Sequence, residues 1–336
     1  MEIIKNLEGC RLCARACGVD RTRRAGRCGE TVEVYAARAA LHMWEEPCIS
    51  GKEGSGTVFF TGCPLGCIFC QNREIALGSA SRPLRDPEES PRGTRELPQK
   101  RRGLHLTIKE LAEAFLRLQA QGANNINMVT PTHFAPQIAE AVRLARAGLV
   151  PEGGAERLYL RVPVVYNTGS YETVETVDNL AEIVDIFLPD LKFYDSGLSG
   201  RYAAAPDYFE VASAAIAKMA EIAGEAEFDG RGMMKKGMIV RHMVLPGHTK
   251  DSMAILDYLA ETYGDKIYIS IMNQYTPMPG IEEKDPLLGR RVTRREYERV
   301  VGHALSLGLS KVFIQEGGTV SESFIPEFDG EGLKKL

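Results

Sequence analysis

The chain has 336 residues, of which 44% are hydrophobic, so it can bury a large core as one α/β domain or as two smaller ones. Its net charge of −4 argues against a protein that binds nucleic acid or membranes over its whole surface. The first residues contain no apolar run typical of a signal peptide, and no run reaches the ~20 residues of a membrane span. We therefore expect a cytoplasmic protein, in which clustered cysteines indicate metal ligands or catalytic thiols rather than disulfides.

The first cysteine group lies in an N-terminal segment that we assign to residues 1–50. It has four members with two, three and ten residues between them: Cys10, Cys13, Cys17 and Cys28. Six arginines lie among these cysteines and would offset the charge of thiolates. The spacing lacks the tight pattern of ferredoxins, so an iron–sulfur cluster and a zinc ion stay equally open, with plain thiols as the third alternative. A zinc site with arginines could contact nucleic acid, but the net negative charge disfavours that partner.

The second cysteine group follows a short apolar run, residues 57–61, that we predict to be a strand. Its members, Cys63, Cys67 and Cys70, are separated by three and two residues on a turn that would pack poorly in a core. A structural zinc site and a fully ligated [4Fe–4S] cluster both take four protein ligands. Three thiolates therefore leave one metal position open for a substrate or cofactor. Cys48, between the two groups, is interpreted as an ordinary buried thiol, with a spare ligand as the alternative.

Beyond the cysteines, stretches with helical and with strand periodicity alternate along the chain. The helices are predicted at 107–122, 135–148, 172–182, 207–222, 251–264 and 293–308. The strands after them are predicted at 125–129, 162–166, 184–190, 237–245, 266–271 and 311–315. Capping boxes at Thr107 and Thr293 mark the beginnings of two helices. Together with the strand before the second cysteine group, this alternation predicts a parallel sheet, either an incomplete TIM-like barrel or an open doubly wound sheet.

Two stretches between these elements are predicted to be surface insertions. Residues 79–103 are rich in Pro, Arg and Glu and nearly free of apolar side chains, so we predict a flexible loop. Residues 224–237 have a similar composition and are predicted to be a second loop. We assign the main domain to residues 51–318 and a C-terminal tail to residues 319–336.

Short polar stretches come directly after the predicted strands. They are "TPTHF" (130–134), "NTGSYE" (167–172), "DLKFYD" (190–195), "PGHT" (246–249), "NQY" (273–275) and "EGG" (316–318). Any one of them is as consistent with a plain loop as with a functional one. Because parallel α/β proteins place their sites at the carboxyl ends of the strands, we expect these stretches to meet the second cysteine group there.

The sequence "GCPLGCIFCQN" (62–72) resembles the cluster motif of radical S-adenosylmethionine (SAM) enzymes, including the aromatic Phe69 before the last cysteine. Its surroundings are similar to the pyruvate formate-lyase-activating-enzyme group, and most to the PflX-type branch. This resemblance extends over residues 50–316 and implies a partial (β/α)6 TIM-like barrel with parallel strands. It also implies a [4Fe–4S] cluster on the three cysteines, whose free iron chelates SAM. Reduction of the cluster then cleaves SAM to a 5′-deoxyadenosyl radical that abstracts hydrogen, while the protein supplies orientation and shelter.

The resemblance also assigns residues to the SAM site. Asp190 and Lys192 match a segment near SAM and substrate, and Arg241 matches an arginine close to the SAM carboxylate. A turn similar to the one that approaches the SAM ribose is formed by Asn167, Thr168 and Gly169.

The chain departs from the family pattern after the second parallel strand. Many radical SAM enzymes have a Gly-Gly-Glu stretch there that receives the methionyl amino group, whereas this chain reads Val-Thr-Pro-Thr-His over 129–133. Thr130 or Thr132 could accept the ammonium group through its hydroxyl oxygen. A structural Thr-Pro turn is the equally open alternative.

The implied activity is hydrogen abstraction by radical SAM chemistry, with an electron donor such as flavodoxin or ferredoxin. We expect the hydrogen to come from a backbone glycine of a partner protein, a glycyl radical enzyme, because "GCPLGCIFCQN", "DLK" and "RHMVLPG" are more similar to activating enzymes than to radical SAM enzymes of small metabolites. An incomplete barrel would also admit a peptide loop. The alternatives are another peptide or a small molecule as substrate, an electron-transfer iron–sulfur protein, and a metal-stabilised binding module.

Overall fold

A computed structural model describes residues 7–76, 103–315 and 326–333 of the chain. Its centre is one mostly parallel sheet with helices packed against it. The strands are β1 (Val34–His42), β2 (Ser55–Phe60), β3 (Leu104–Leu106), β4 (Ile126–Val129), β5 (Val164–Thr168), β6 (Ile186–Pro189), β7 (Glu227–Phe228), β8 (Met234–Met243), β9 (Tyr268–Met272) and β10 (Val312–Ile314). The α-helices are α1 (Pro47–Ser50), α2 (Arg73–Ala76), α3 (Ile108–Ala120), α4 (Ala135–Ala147), α5 (Val174–Asp178), α6 (Ser196–Ala203), α7 (Tyr208–Ala223), α8 (Thr249–Thr262) and α9 (Arg294–Ser306).

The sheet order defines the architecture. It runs β10-β9-β8-β6-β5-β4-β2-β1-β3, with β7 paired to β8. From β2 to β10 every neighbouring pair in this order is parallel. A doubly wound sheet reverses its strand order at a switch point, and this run of strands shows no reversal. Because β3 and β10 end the order without pairing to each other, the sheet is unclosed and the fold is a partial TIM-like barrel, as predicted.

All seven predicted parallel strands are confirmed, with their ends shifted by a few residues. The strands β2, β4, β5 and β6 are buried along their whole length, as is typical of a sheet covered on both faces. The predicted capping boxes are present at Thr107 before α3 and at Thr293 before α9. On the inner face of α3, Leu111 and Phe115 are fully buried, and each contributes about 1.5–3 kcal/mol through the apolar area it removes from water.

Two elements differ from the prediction. The helix expected over 172–182 is only the short α5, because the chain then turns, with Ile183 N–H bonded to Leu180 O three residues back. The prediction of a loop over 224–237 is wrong, since β7 pairs with the first half of β8 in a hairpin. Its turn is closed by Asp229, whose carboxylate accepts the backbone N–H of Met233 at 3.0 Å. The Asp- and Gly-rich composition therefore belongs to a hairpin turn.

Two further strands and part of the described C-terminal tail are tied to the sheet. The strands β1 and β3, which the sequence did not predict, extend it beyond β2 in antiparallel pairing. In the tail, the backbone N–H of Gly330 donates to Ala37 O at 3.0 Å, and Ala39 N–H donates to Glu331 O at 2.9 Å. The predicted insertion at 79–103 lies outside the described residues except for its last position. No helix in the described part of the chain is long and apolar enough to cross a membrane.

Candidate active site

The second cysteine group lies on the loop between β2 and α2, at the carboxyl edge of the parallel strands. Its three cysteines are partly exposed and line a cleft that encloses about 240 Å³. Gly62, before the first of them, has φ = +81°, and a Cβ at this position would approach Cys28 O to 2.8 Å. Only glycine fits there, so the loop can lie directly against the N-terminal segment.

Burial dominates the chemistry of the three free thiols. It raises the pKa of Cys70 to about 12 and also raises the pKa values of Cys63 and Cys67. After burial, the largest cause for Cys63 is the charge of the other two thiols, which shows how closely the three are grouped. The positive charge of Lys192 acts in the opposite direction on each. The thiols are therefore protonated when free, and metal binding at this loop has to release their protons.

The aromatic residue of the motif holds the loop in place. The Phe69 ring is buried and lies edge-on to the rings of Phe193, Tyr202 and Tyr275, with centroids 6.0, 6.5 and 6.3 Å away. Next to it, the backbone N–H of Ile68 donates to Tyr202 O at 2.9 Å. This packing anchors the chain between the second and third cysteines.

A buried network of charges faces the cysteine loop across the cleft. Arg241, on β8, donates from Nε to Asp190 Oδ1 at 2.9 Å and from its two terminal nitrogens to Glu45 Oε2 at 3.0 Å and Asn167 Oδ1 at 2.5 Å. Asp190 also accepts from Lys192 Nζ at 2.6 Å. One guanidinium thereby joins the ends of β5, β6 and β8 with the segment between β1 and α1.

The members of this network keep each other charged. Burial by itself lowers the pKa of Arg241 and of Lys192, but the neighbouring negative groups, with Asp190 first among them, together outweigh it, so both pKa values are raised. Burial by itself raises the pKa of Asp190, and the two cations outweigh it, so that pKa is lowered. Glu46, beside Glu45, has a raised pKa because it is buried.

A tyrosine hydroxyl holds the two polar turns together. The Tyr208 hydroxyl oxygen lies 2.7 Å from Asp190 O and 3.0 Å from Gly169 O, and it accepts the backbone N–H of Lys192 at 3.0 Å. Since Tyr208 begins α7 and is fully buried, the turns after β5 and β6 are fixed relative to each other by a helix behind the sheet.

Threonines at the ends of β4 and β5 lie around a buried carboxyl group. Thr132 donates its hydroxyl to Glu172 Oε1 at 2.7 Å, and the Thr168 hydroxyl donates to the same oxygen. Glu172 is 1% exposed, and burial raises its pKa. Thr130 has φ = +57°, a backbone conformation that is costly for a β-branched residue and that occurs mostly at functional sites.

The structure brings all the predicted catalytic-cluster and SAM residues together. One cleft is lined by Cys63, Cys67, Cys70, Thr130, Thr132, Asn167, Thr168, Gly169, Asp190, Lys192 and Arg241. Sequence reasoning missed Glu45, Glu172 and Tyr208 as partners of these residues. Glu172 stands in a polar stretch after a strand, which is a usable signal. Glu45 lies two residues before a proline in the N-terminal segment, and Tyr208 begins a helix, so neither position carries such a signal.

The four N-terminal cysteines lie near one another, next to the loop that carries Cys63, Cys67 and Cys70. Burial raises the pKa of Cys13 to about 12, and the charges of the other three cysteines add to that effect. Cys28 contacts the loop between β2 and α2, which we call the catalytic loop, since its carbonyl oxygen accepts the backbone N–H of Cys63 at 3.2 Å. Cys48 lies elsewhere, buried in an apolar cluster that includes Val165 and Ile239. Its pKa is raised to about 12 by burial.

Among the described residues, no three His, Cys, Asp or Glu side chains are grouped tightly enough to hold a single metal ion. The ligands of a [4Fe–4S] cluster bind different irons, so they stand farther apart than the ligands of one ion. Three mutually interacting thiols beside a cleft lined with charged and polar side chains fit such a cluster with one iron left open.

Comparison with known proteins defines the class. The profile of the Radical SAM superfamily matches residues 57–259, which is more than half of the chain, so this chain belongs to that superfamily. Membership implies a [4Fe–4S] cluster, SAM as the partner of that cluster, and radical chemistry catalysed by an enzyme.

Individual relatives are more distant. The uncharacterized protein MJ0674 of Methanocaldococcus jannaschii is 26% identical over 317 residues, which cover 93% of this chain and 79% of the relative. A domain of pyruvate-formate lyase-activating enzyme from Bacteroides vulgatus aligns with 46% of this chain and 82% of its own, at 17% identity and a TM-score of 0.34. Streptococcus suis SuiB aligns with 84% of this chain, at 13% identity and a TM-score of 0.45, and the chain spans half its length. Both structural scores are too low to carry an argument.

Proposed function

We propose that the cleft binds a [4Fe–4S] cluster on Cys63, Cys67 and Cys70 with SAM beside it, and that the enzyme abstracts a hydrogen atom from a backbone glycine of a partner protein. The observation that carries the cofactor assignment is the convergence of three thiols and a charge-balanced set of strand-end side chains in one cleft. This would place the chain among glycyl-radical-activating enzymes, close to the PflX-type branch that its motifs resemble.

When bound and reduced, the cluster supplies the electron that cleaves SAM to methionine and a 5′-deoxyadenosyl radical. The chain's own residues hold and shelter it. Lys192 is close enough to all three thiols to lower their pKa values, so its ammonium group offsets the charge of the thiolates. The packing of the Phe69 ring against three other aromatic rings holds the loop in position and excludes water from the inner side of the loop. Exclusion of water limits side reactions of a radical.

The carboxylate of SAM is best bound by Lys192. Arg241, to which the resemblance gives this role, already donates to three acceptors, so we assign it to positioning Asp190 and Asn167. An ammonium group has three N–H bonds, and Lys192 donates one of them to Asp190. Its remaining N–H bonds can meet a carboxylate without breaking the network.

The ammonium group of SAM is best received by the threonines after β4 and β5. Thr132 and Thr168 both donate their hydroxyl protons to Glu172. The Thr168 oxygen also accepts the backbone N–H of Ser170 at 3.2 Å, so one lone pair remains on Thr168 while Thr132 is the better acceptor for an ammonium group. The carboxyl group of Glu172 lies behind the two hydroxyls, and the negative partial charge on its oxygen atoms would attract an ammonium group. This arrangement would replace the Gly-Gly-Glu stretch of related enzymes.

The glycine of a partner protein is proposed as hydrogen donor because of the motifs and the open sheet. The segments "GCPLGCIFCQN", "DLK" and "RHMVLPG" are most similar to activating enzymes, and all three contribute residues to the cleft. The sheet stays unclosed between β3 and β10, which is compatible with a peptide loop reaching the cleft from the side. A partner loop would then itself close the site against water.

The test is anaerobic reconstitution followed by two measurements. SAM cleavage to 5′-deoxyadenosine should occur in the unchanged chain and be lost when Cys63, Cys67 and Cys70 are all replaced by alanine. Cys48→Ala is the matched control, because it removes a buried thiol remote from the cleft, and it should keep the cleavage. Electron paramagnetic resonance of mixtures with glycyl radical enzymes of the same organism should then show a glycyl doublet. SAM cleavage without a doublet in any mixture would contradict the glycine assignment and leave the chemistry intact.

A further inference from the structure

The four N-terminal cysteines lie near one another, and Gly26 stands between two of them. A Cβ placed on Gly26 would lie 3.4 Å from Cys28 Sγ and 3.7 Å from Cys17 Sγ, so the two sulfurs face the same point. Cys10 Sγ lies 3.9 Å from a terminal nitrogen of Arg21. All three of these thiols act electrostatically on Cys13. Glycine at position 26 thus leaves room beside two sulfurs that are eleven positions apart in the sequence.

A buried arginine beside Cys10 favours negative charge at the N-terminal cysteines. The side chain of Arg21 is fully buried, and its hydrogen-bond acceptors are Cys10 Sγ and the carbonyl oxygens of Glu30, Thr31 and His133. None of these acceptors is a carboxylate. A buried guanidinium is stabilised by a negative partner within the same low-dielectric region. Thiolates bound to a metal centre would supply that negative charge at Cys10.

This group of sulfurs adjoins the catalytic loop. Besides the hydrogen bond from Cys63 N–H to Cys28 O at 3.2 Å, Arg15 Nε donates to Pro64 O at 2.9 Å. The Arg15 guanidinium also stacks over the ring of Tyr171, 4.9 Å from its centroid, and Tyr171 lines the cleft. A centre on the N-terminal cysteines would therefore touch the backbone that carries the first catalytic thiol.

Part of the group faces solvent, in a stretch of chain where arginines outnumber acidic residues. Cys17 is exposed, whereas Cys10, Cys13 and Cys28 are buried. Exposed arginines stand six or seven positions from it in the chain, at 11, 23 and 24, and Arg23 pairs with Asp20 at 3.3 Å. Clustered positive charge on a surface attracts acidic proteins and accelerates their association at low ionic strength.

We propose that Cys10, Cys13, Cys17 and Cys28 bind a second [4Fe–4S] cluster that relays electrons to the catalytic one. An acidic one-electron carrier, a flavodoxin or ferredoxin, docks at this arginine-rich stretch and is oxidised by one electron. A cluster held by these four residues would take up this electron and, through the contact between Cys28 and Cys63, would supply it to a cluster held by Cys63, Cys67 and Cys70, where SAM cleavage would consume it. The relay rests on the proposed function, whereas metal binding at the four cysteines does not.

Metal content tests the site without any activity. After anaerobic reconstitution, the variant with alanine at positions 63, 67 and 70 should retain about four iron and four sulfide ions per chain, about half of what the unchanged chain holds. Adding Cys17→Ala and Cys28→Ala together, which leaves only two of the four thiols, should lower that retained iron by about tenfold or more, since the loss of even an outer-shell partner costs about tenfold in metal affinity. Adding Cys48→Ala instead should leave it. One zinc ion per chain, or no metal at all, would overturn the proposal.

Reduction kinetics test the relay, again without SAM. Freeze-quenched samples followed by electron paramagnetic resonance give the rate at which the catalytic cluster is reduced by flavodoxin and by dithionite. Replacing Cys17 and Cys28 together by alanine should lower the ratio of the flavodoxin rate to the dithionite rate by about tenfold, and added salt should slow the flavodoxin reaction more than the dithionite reaction. An unchanged ratio would overturn the relay. Two clusters with normal reduction but no SAM cleavage would instead refute the proposed function and leave this inference standing.

Discussion

The carboxylate of Asp190 lies 2.9 Å from the guanidinium of Arg241, which reaches it from the next strand of the sheet. The two residues also form a parallel bridge between their backbones, so the ends of β6 and β8 and their side chains are held in one register. Both side chains are largely buried, and on its other side Arg241 pairs with Glu45 at 3.0 Å. The site therefore contains two cations and at least two anions whose charges depend on each other.

Asp190→Asn should both destabilise the protein and weaken SAM binding. The substitution leaves Arg241 and Lys192 without their shared carboxylate, and removing one member of a buried pair costs about 3–5 kcal/mol in the free energy of unfolding. SAM affinity should fall by about tenfold or more, since one lost charged contact of ~1.4 kcal/mol already accounts for a factor of ten. Urea unfolding and equilibrium dialysis measure the two effects.

The matched control for that variant is Glu298→Gln. Glu298 pairs with Arg294 at 2.6 Å on the exposed face of α9, and such surface pairs contribute little. It should alter neither unfolding nor SAM affinity. If Asp190→Asn behaved like this control in both measurements, the charge network would have no part in the site.

Lys192→Gln should weaken SAM binding with little loss of stability. We expect this because Lys192 lies in the cleft and is the cation with N–H bonds to spare, whereas Arg241 holds several elements together. Arg241→Gln should therefore reduce the free energy of unfolding more than Lys192→Gln does. The comparison needs SAM dissociation constants and urea unfolding for both variants. Greater loss of stability in Lys192→Gln would reverse the roles assigned to the two cations.

Thr132→Val should raise the dissociation constant of SAM by about tenfold or more, the effect of losing one hydrogen bond to a charged group of about 1.5–3 kcal/mol. Valine has the shape of threonine but cannot accept a hydrogen bond from the ammonium group. Thr132→Ser is the control, because it keeps the hydroxyl that donates to Glu172, and it should bind SAM nearly as the unchanged chain does. Equal affinities in the valine and serine variants would show that the Thr-Pro turn is structural.

The stability of the protein should decrease on mild acidification because of His133. Burial, followed by the charge of Arg21, lowers the pKa of His133 to about 3, while an unfolded histidine titrates near 6.5. As the pH falls below that unfolded value, only the unfolded chain takes up the proton, so the free energy of unfolding decreases with falling pH. Between pH 7 and pH 5 this one residue accounts for about 2 kcal/mol.

His133→Gln tests that prediction, because a glutamine amide can still donate to Thr61 O, which lies 2.6 Å from His133 Nε2, and does not titrate. Urea unfolding at the two pH values should show a smaller pH dependence in the variant, by about the same 2 kcal/mol. An identical dependence in both proteins would mean that other groups cause the acid sensitivity.

Several features of this protein follow from its sequence alone. The regular alternation of helical and strand periodicity predicts a parallel sheet, and the spacing of Cys63, Cys67 and Cys70 predicts a metal centre with an open position. Because the ends of parallel strands share one edge, the polar stretches after the strands already predict which residues meet. These signals are local, since each depends on residues within about one turn or one strand of each other.

Only the tertiary structure shows the contacts between segments that are remote along the chain. Glu45 becomes a partner of Arg241, 196 positions away, because β1 pairs with β2 and returns the chain to the cleft. Likewise, the N-terminal cysteines are placed beside the catalytic loop by one hydrogen bond between Cys28 and Cys63 and by the absence of a side chain on Gly62. Periodicity and spacing carry no information about such pairings, because they depend on how whole strands and loops pack against one another.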